Sequence, residues 1–174
     1  VLAPMVHWPE VMVAYEDSQK VLFSADGFGN FGSLTYTDAW ADEARRYYCN
    51  IVGKYGVQVQ GLLKKAAALD IQTVCPLHGP QLSGDALTRA LALYSLWAAW
   101  KPEESGVLVA YAGFHGHTAE AAKLLAEKLH ALGETVEVVD LNRVHKSYAV
   151  ASAFKFDRMA LCAATYDGAY APAM

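Results

Sequence analysis

The sequence has few cysteines, and they lie far apart. Its 174 residues include three, Cys49, Cys75 and Cys162, and none of them belongs to a C-x-x-C pair. This number and spacing give no support to a zinc ribbon or a redox pair. We therefore expect reduced thiols, with Cys75 and Cys162 buried as small apolar side chains in strand-like runs, and reduced cysteines fit a cytoplasmic location.

Positive charge and long apolar segments are scarce as well. Lys and Arg total 14 against 18 Asp and Glu, which gives a formal net charge of −4. No basic stripe with interleaved aromatic residues is visible, so we expect no nucleic acid partner. We also expect no membrane partner, because no apolar run reaches the length of a membrane span. A hydrophobic content of 54% is typical of a well-buried α/β protein rather than a disordered chain.

Three glycines, Gly27, Gly29 and Gly32, spell a G-x-G-x-x-G motif behind the apolar run Val21–Phe23. A dinucleotide-binding loop would continue into a helix at the last glycine and would meet a carboxylate about 20 residues further on. Turn-forming and β-branched residues follow the motif where the helix should begin, and Cys49 and Asn50, not a carboxylate, lie about 20 residues further on. We interpret the segment as a flexible loop, in which alanine at Gly29 is expected to cost about 1 kcal/mol.

The chain divides into two candidate domains, residues 1–100 and 107–174. The segment between them, WKPEESG, carries a proline and three charged residues and is typical of a linker. In the first part the residue pattern predicts three strands and two helical regions, with Ser83 as the N-cap of the last helix. These elements are expected at Val11–Tyr15, Val21–Ser24, Asp38–Leu69 with a break near Tyr55, Thr73–Cys75 and residues 84–99.

The second part alternates regularly between strands and helices. The expected elements are strands at 107–112, 135–141 and 159–166, with helices at 118–133 and 147–154 between them. Such alternation predicts a parallel, doubly wound sheet. Because this kind of sheet usually has about five strands, we expect the chain to be truncated at both ends.

Three candidate metal ligands follow strand-like segments of the first part: His7, Asp26 and His78. Side chains at the ends of strands in one sheet can face the same cleft. Imidazole and carboxylate without thiolate suit zinc, iron or manganese, and a carboxylate can bridge two metals. Three ligands are too few for a dinuclear site, so we expect the others upstream of Val1. The alternative is that each residue is an ordinary loop or core residue.

A candidate phosphate loop lies in the second part, between a buried strand and a helix. Backbone N–H groups in such a loop, together with the helix N-terminus, bind anions. A short loop of this kind fits the monophosphate of FMN at the carboxyl edge of the sheet, where Tyr166 could stack on the flavin ring. An exposed, solvated loop is the alternative. The candidate flavin-binding residues are Gly113, Phe114, His115, Gly116, His117, Thr118, Thr165, Tyr166, Asp167 and Gly168.

Taken in order, these segments resemble the flavodiiron proteins, also called A-type flavoproteins. The resemblance rests on H-W-P-x-x-M-x-x-Y at residues 7–15, D-x-F-G at 26–29, Y-Y-x-N-I at 47–51 and H-G-P at 78–80. It implies an α/β chain with the C-terminal part of a metallo-β-lactamase-like αββα sandwich. The first part of a flavodoxin-like doubly wound parallel sheet would follow.

The same resemblance implies two iron ions, with His7 on one, His78 on the other and Asp26 between them, and FMN in the second domain. The family's H-x-E-x-D ligand motif is absent from these 174 residues. The implied activity is reduction of O2 to water or of NO to nitrous oxide. Rubredoxin or a flavin- or NADH-dependent reductase would supply the electrons, and a head-to-tail homodimer is expected.

Two other functions stay open from the sequence. One is a metal-dependent hydrolase on the same β-lactamase-like fold, in which a metal-bound hydroxide is the nucleophile. The other is a non-catalytic, flavodoxin-like electron-transfer module in which the metal site has been lost.

Overall fold

The computed structural model of the chain describes residues 1–173. The chain separates into two compact units, Val1–Lys101 and the residues from Pro102 onward. The assignment of these units to a diiron domain and an FMN domain stays a prediction. No helix within residues 1–173 is long and apolar enough to cross a membrane.

The first unit combines helices with a small mixed sheet. Its elements are β1 (Ala14–Glu16), β2 (Val21–Phe23), α1 (Trp40–Ile51), a 3₁₀ turn (Gly53–Tyr55), α2 (Gly56–Ala66), β3 (Thr73–Cys75), β4 (Leu82–Ser83) and α3 (Gly84–Ala98). The strands lie in the order β1-β2-β3-β4. Strands β2 and β3 are parallel, with Phe23 opposite Cys75, whereas the two outer pairs are antiparallel.

Aromatic side chains fill the core of the first unit. Tyr48 of α1 and Tyr94 and Trp97 of α3 lie with their ring centroids 5.1 to 5.3 Å apart. Phe28, from the loop after β2, stacks on Tyr94 at 4.3 Å. All four side chains are almost fully buried. Since an aromatic pair contributes about 0.5–1.5 kcal/mol beyond the burial of its area, the loop after β2 is held firmly against α3.

The second unit is built on a parallel sheet. Its elements are β5 (Glu104–Ala112), α4 (His117–Ala131), β6 (Val136–Asp140), α5 (Lys146–Lys155), β7 (Phe156–Ala163), β8 (Thr165–Tyr166) and β9 (Ala169–Tyr170). The three longer strands are parallel and lie in the order β6-β5-β7. Strands β8 and β9 form a separate antiparallel hairpin.

The central strand β5 is buried on both of its faces. Val107 and Val109 pack against α4 on one face, and Leu108 and Ala110 pack against α5 on the other. Helices on opposite faces make the sheet doubly wound, as the alternation of strands and helices predicted. The continuous apolar run of β5 follows from this double burial.

Several details differ from the sequence-based prediction. The third strand of the second unit runs from Phe156 to Ala163 rather than over 159–166, and Thr165 and Tyr166 belong to a separate hairpin. Strand β1 begins at Ala14 rather than Val11. Strand β5 begins at Glu104, inside the predicted linker and ahead of the predicted domain start at residue 107, because Glu104 pairs with Phe156 across a bulge. Ser83 does occupy the N-cap of α3, but its side chain makes no capping hydrogen bond.

Candidate functional site

Two parallel strands present candidate ligands at the same edge of the first sheet. Phe23 of β2 and Cys75 of β3 lie opposite each other. Asp26 follows Phe23, and His78 follows Cys75, by the same number of residues. Since both strands run in the same direction, the two loops leave the sheet side by side.

The structure brings His7, Asp26 and His78 together. His7 Nε2 lies 3.5 Å from Asp26 Oδ2, and His78 Nε2 lies 3.5 Å from Asp26 Oδ1. The Asp26 side chain is 16% exposed, so it is largely buried but still reachable. Each imidazole therefore faces a different oxygen of one carboxylate.

Hydrogen bonds fix the loop that carries Asp26. The Phe28 N–H donates to the Tyr94 hydroxyl at 2.7 Å. The Ser24 hydroxyl donates to the Gly27 carbonyl at 2.6 Å. The loop of His78 is tied to the same segment, because the Leu77 N–H donates to the Ala25 carbonyl at 2.8 Å. Both ligand-bearing loops are thus attached to each other and to the aromatic core.

Hydrogen bonds at both ring nitrogens orient the His78 side chain. Nδ1 lies 3.1 Å from the Asn30 carbonyl, and since a carbonyl can only accept, Nδ1 carries the proton of this bond. In the neutral ring Nε2 then presents its lone pair, 3.1 Å from the Tyr47 hydroxyl. A backbone carbonyl that holds the proton on one nitrogen is an arrangement common to metal-binding histidines, although here the other nitrogen accepts a hydrogen bond from Tyr47.

Sequence reasoning missed Asn30 and Tyr47 as parts of this site. Tyr47 lies on α1, on the face that also buries Trp40 and Ala44, so its helical spacing indicated a core residue. Burial, and then the negative charge of Asp26, raise the pKa of the Tyr47 phenol well above its usual value. Tyr47 therefore stays protonated and can donate a hydrogen bond throughout the physiological pH range.

The side chains of His7, Asp26 and His78 suit two metal ions bridged by the Asp26 carboxylate, but each of the two metal sites would have too few ligands. Within residues 1–173, no group of three or more His, Cys, Asp and Glu side chains could hold a metal ion. The reason is that Asp26 lies between the two imidazoles, so each side offers one nitrogen and one carboxylate oxygen. Nitrogen and carboxylate donors fit iron, and further ligands are needed for each ion. The metal role of His7, Asp26 and His78 stays a prediction.

The expectation for Gly29 was wrong. A Cβ built on Gly29 would lie 2.7 Å from Nδ1 and 3.0 Å from Nε2 of His78, and closer still to Cε1. Gly29 is therefore required by the closeness of the His78 ring and not only by a turn. No helix follows Gly32 before Trp40, so the glycine motif is not a dinucleotide-binding loop.

Tyr47→Phe is expected to lower the free energy of unfolding by about 1 kcal/mol, because it removes a hydroxyl that is bonded to His78 in a buried setting. Chemical denaturation of the full-length protein measures the change. Tyr55→Phe is the matched control, since it removes a hydroxyl from a half-buried tyrosine of the same unit. Equal stability of the two variants would contradict a structural role for the bond between Tyr47 and His78.

In the second unit, the candidate phosphate loop joins β5 to α4. Helix α4 begins at His117, so His117 and Thr118 belong to its first turn rather than to the loop itself. A Cβ built on Gly113 would lie 2.8 Å from Cβ and Oγ1 of Thr118. Loop and helix start are therefore in direct contact, and α4 begins close after the carboxyl end of β5.

The structure also brings together the aromatic residues of the candidate flavin site. Phe114 and Tyr166 lie with ring centroids 5.4 Å apart. Tyr166 and Thr165 form β8, and the exposed residues Asp167 and Gly168 form the turn to β9. His115 is exposed.

His117 is equally open to solvent. Its side chain is 89% exposed, and it is paired only loosely with Glu120, at 3.7 Å. Both histidines are therefore largely exposed side chains.

A hollow of about 590 Å³ opens beside this loop, on the side of β6. The charged residues that line it were not predicted from the sequence. They are Lys123 of α4, Asp140 at the end of β6 and Arg143 after it. Sequence spacing does not show this hollow, because Lys123 and Arg143 come to line the same hollow only once β6 is paired with β5.

Comparisons with known proteins identify relatives along most of the chain. The rubredoxin-oxygen oxidoreductase of Megalodesulfovibrio gigas is 30% identical over 155 residues, which cover 82% of this chain and 38% of that protein. The anaerobic nitric oxide reductase flavorubredoxin of Aliivibrio salmonicida is 26% identical over 181 residues, 98% of this chain and 36% of that protein. No protein-family model matches the chain.

Solved structures that match the chain include a flavodiiron protein. The crystal structure of the flavodiiron protein from Giardia intestinalis matches with a TM-score of 0.92 at 23% identity, covering 99% of this chain and 44% of that one. The resemblance inferred from the sequence, and the fold it implied, are thereby confirmed. The chain spans less than half the length of each of these relatives.

Proposed function

We propose that this chain, whose homologues and structural neighbours are flavodiiron proteins, belongs to an FMN- and diiron-dependent oxidoreductase that reduces O2 to water, NO to nitrous oxide, or both. The observation that carries the proposal is the position of Asp26 between His7 and His78, at 3.5 Å from each. The named relatives favour this function over the hydrolase and over the non-catalytic module.

His7 would bind one iron, His78 the other, and Asp26 both. The irons would supply electrons to the bound gas. The negative charge of Asp26 offsets part of the charge of two cations. The proposed role of His78 is supported by the Asn30 carbonyl, which holds the proton on Nδ1. Nε2, which here accepts from the Tyr47 hydroxyl, is then the nitrogen that would bind the metal.

Three further side chains shape the surroundings of the proposed centre. Tyr47 keeps its proton, because burial raises its pKa, and it holds that proton at its hydroxyl beside Nε2 of His78. Phe31 is half-buried and packs edge-on against Tyr47 at 5.2 Å. Arg46 lies over the Phe31 ring at 4.4 Å and holds it in place through a cation–π contact.

In the second unit, we assign the phosphate of FMN to Gly113–Thr118 and the flavin ring to the crevice of Phe114 and Tyr166. This crevice lies between β5 and β7, where the connections of a flavodoxin-like sheet run in opposite directions and FMN binds. Bound there, FMN would pass on electrons from a donor such as rubredoxin or a flavin- or NADH-dependent reductase.

The proposal includes a head-to-tail homodimer and a cytoplasmic location. The location is supported by three free cysteines. Cys75 and Cys162 are half-buried rather than fully buried as the sequence predicted. Burial raises the pKa of the Cys49 thiol to about 12, so this thiol stays protonated and unreactive at neutral pH.

The direct test uses the full-length protein that contains this sequence. We expect purified protein to contain iron and FMN and to consume O2 or NO when a reductant and rubredoxin are supplied. Iron analysis, flavin absorbance and gas electrodes measure the three properties. Hydrolysis of an ester or lactam by a zinc-loaded, flavin-free protein would overturn the proposal.

Thr118→Asp is expected to weaken FMN binding by about tenfold or more, because it places a carboxylate beside the phosphate dianion of FMN. The helix itself should tolerate the change, since an acidic residue in the first turn of α4 is favourable to the helix dipole. Thr88→Asp, on the exposed face of α3, is the matched control. Unchanged FMN affinity in Thr118→Asp, measured by flavin fluorescence, would remove this loop from the phosphate site.

A further inference from the structure

The nitrogen of His78 that would bind a metal ion already accepts a hydrogen bond. Nδ1 donates to the Asn30 carbonyl at 3.1 Å, so in the neutral ring the in-plane lone pair is on Nε2. The Tyr47 hydroxyl donates to this lone pair at 3.1 Å. Since one lone pair serves one partner at a time, a metal ion binds Nε2 only after the Tyr47 hydroxyl has released it.

This hydrogen bond makes the two halves of the proposed centre unequal. Nε2 of each imidazole lies 3.5 Å from one oxygen of Asp26, so toward the carboxylate the two halves are alike. The rings of His78 and Tyr47 lie with their centroids 4.6 Å apart, whereas those of His7 and Tyr47 are 6.4 Å apart. The bond from Tyr47 therefore belongs to the His78 half.

The Tyr47 ring is held in this position by its neighbours. Tyr47 is only 4% exposed, and Phe31 packs edge-on against it at 5.2 Å. Arg46 lies over the Phe31 ring at 4.4 Å and is itself paired with Glu43 at 2.6 Å. Because protein interiors are closely packed, the Tyr47 ring cannot turn away without displacing Phe31. The hydroxyl thus stays beside Nε2 of His78 until another group takes its place.

We propose that Tyr47 competes with the metal ion for Nε2 of His78 and so opposes metal loading of that half of the centre. This inference rests on the proposed diiron function. The two hydrogen bonds of the His78 ring then have opposite effects. The Asn30 carbonyl supports the metal, because it fixes the proton on Nδ1. The bond from Tyr47 exists only before the metal binds, and its loss is part of the cost of loading.

Titration of the metal-free, full-length protein with Fe²⁺, in competition with a chelator of known affinity, tests the proposal. Tyr47→Phe removes the hydroxyl and keeps the ring, so the metal ion no longer has to break a hydrogen bond. We expect the variant to bind one of the two ions about fivefold more tightly than the unmodified protein, which corresponds to a net hydrogen bond of about 1 kcal/mol. The ion on His7 should bind as before.

Tyr48→Phe is the matched control. Tyr48 follows Tyr47 on α1, and its buried hydroxyl makes no hydrogen bond within residues 1–173, so its removal should leave both affinities unchanged. Zn²⁺ should show the same ratio between Tyr47→Phe and the unmodified protein as Fe²⁺, because the hydrogen bond that breaks is the same for either ion.

If Tyr47→Phe bound Fe²⁺ as tightly as the unmodified protein or more weakly, the hydroxyl would not compete for Nε2 and the proposal would be wrong. An equal gain in Tyr48→Phe, or an equal gain for both ions, would show a general loosening of the unit and overturn it too. These outcomes leave the proposed oxidoreductase standing. Failure of the unmodified protein to bind any Fe²⁺ would instead overturn the diiron function, and the competition with it.

Discussion

Asp26→Asn should lose most of the iron of the full-length protein and keep its FMN. Asparagine preserves the size of the side chain but removes the negative charge and one carboxylate oxygen. Since the oxygens of Asp26 face different imidazoles, the change removes the group shared by both halves of the proposed centre. Even outer partners of metal ligands cost about 10–100-fold in affinity, so we expect at least about 100-fold here.

The flavin should be unaffected, because its proposed residues belong to the other compact unit. For this substitution, iron analysis should therefore show a loss, while the flavin absorbance of the same sample should be unchanged. Asp38→Asn, an exposed carboxylate of the first unit, should retain both cofactors. An Asp26→Asn protein with full iron content would show that Asp26 does not bridge the metals.

The fold was predictable from the sequence where residue patterns are regular. The apolar run of β5 and the spacing of α4 and α5 predicted a doubly wound sheet. The limits of β1 and β5 were less predictable, since they depend on partners: the start of β5 at Glu104 is set by its pairing with Phe156. A linker composition with proline and charge cannot show that pairing.

The candidate site was only partly predictable. Asp26 and His78 follow β2 and β3 as predicted, whereas His7 lies in a turn ahead of β1 and not at the end of a strand. For His7 only the residue type indicated a ligand. Tyr47 was not predicted, because its spacing on α1 is that of a core residue and its contact with His78 joins distant parts of the chain. The charged hollow beside β6 was missed for the same reason.

Gly29→Ala should also lose most of its iron, contrary to what the sequence alone indicated. The new methyl group would overlap the His78 ring, and the loop has little freedom to yield, since Phe28 is stacked on Tyr94 and bonded to its hydroxyl. His78 would be the group that moves. Displacing it breaks its bonds to Asn30 and Tyr47 and takes Nε2 away from Asp26, so we expect iron affinity to fall by about 10–100-fold, as for the loss of orienting partners.

Gly32→Ala, in the same loop, separates this effect from backbone strain. Gly32 has a φ of +100° and nothing within 4 Å of a built Cβ, so alanine there should cost about 1 kcal/mol of stability from φ alone and leave iron in place. At Gly29 the cost comes from contact with His78 rather than from a positive φ. If Gly29→Ala kept its full iron content and a normal FMN absorbance, the close contact between Gly29 and the His78 ring would not be needed for metal binding, and this prediction would be wrong.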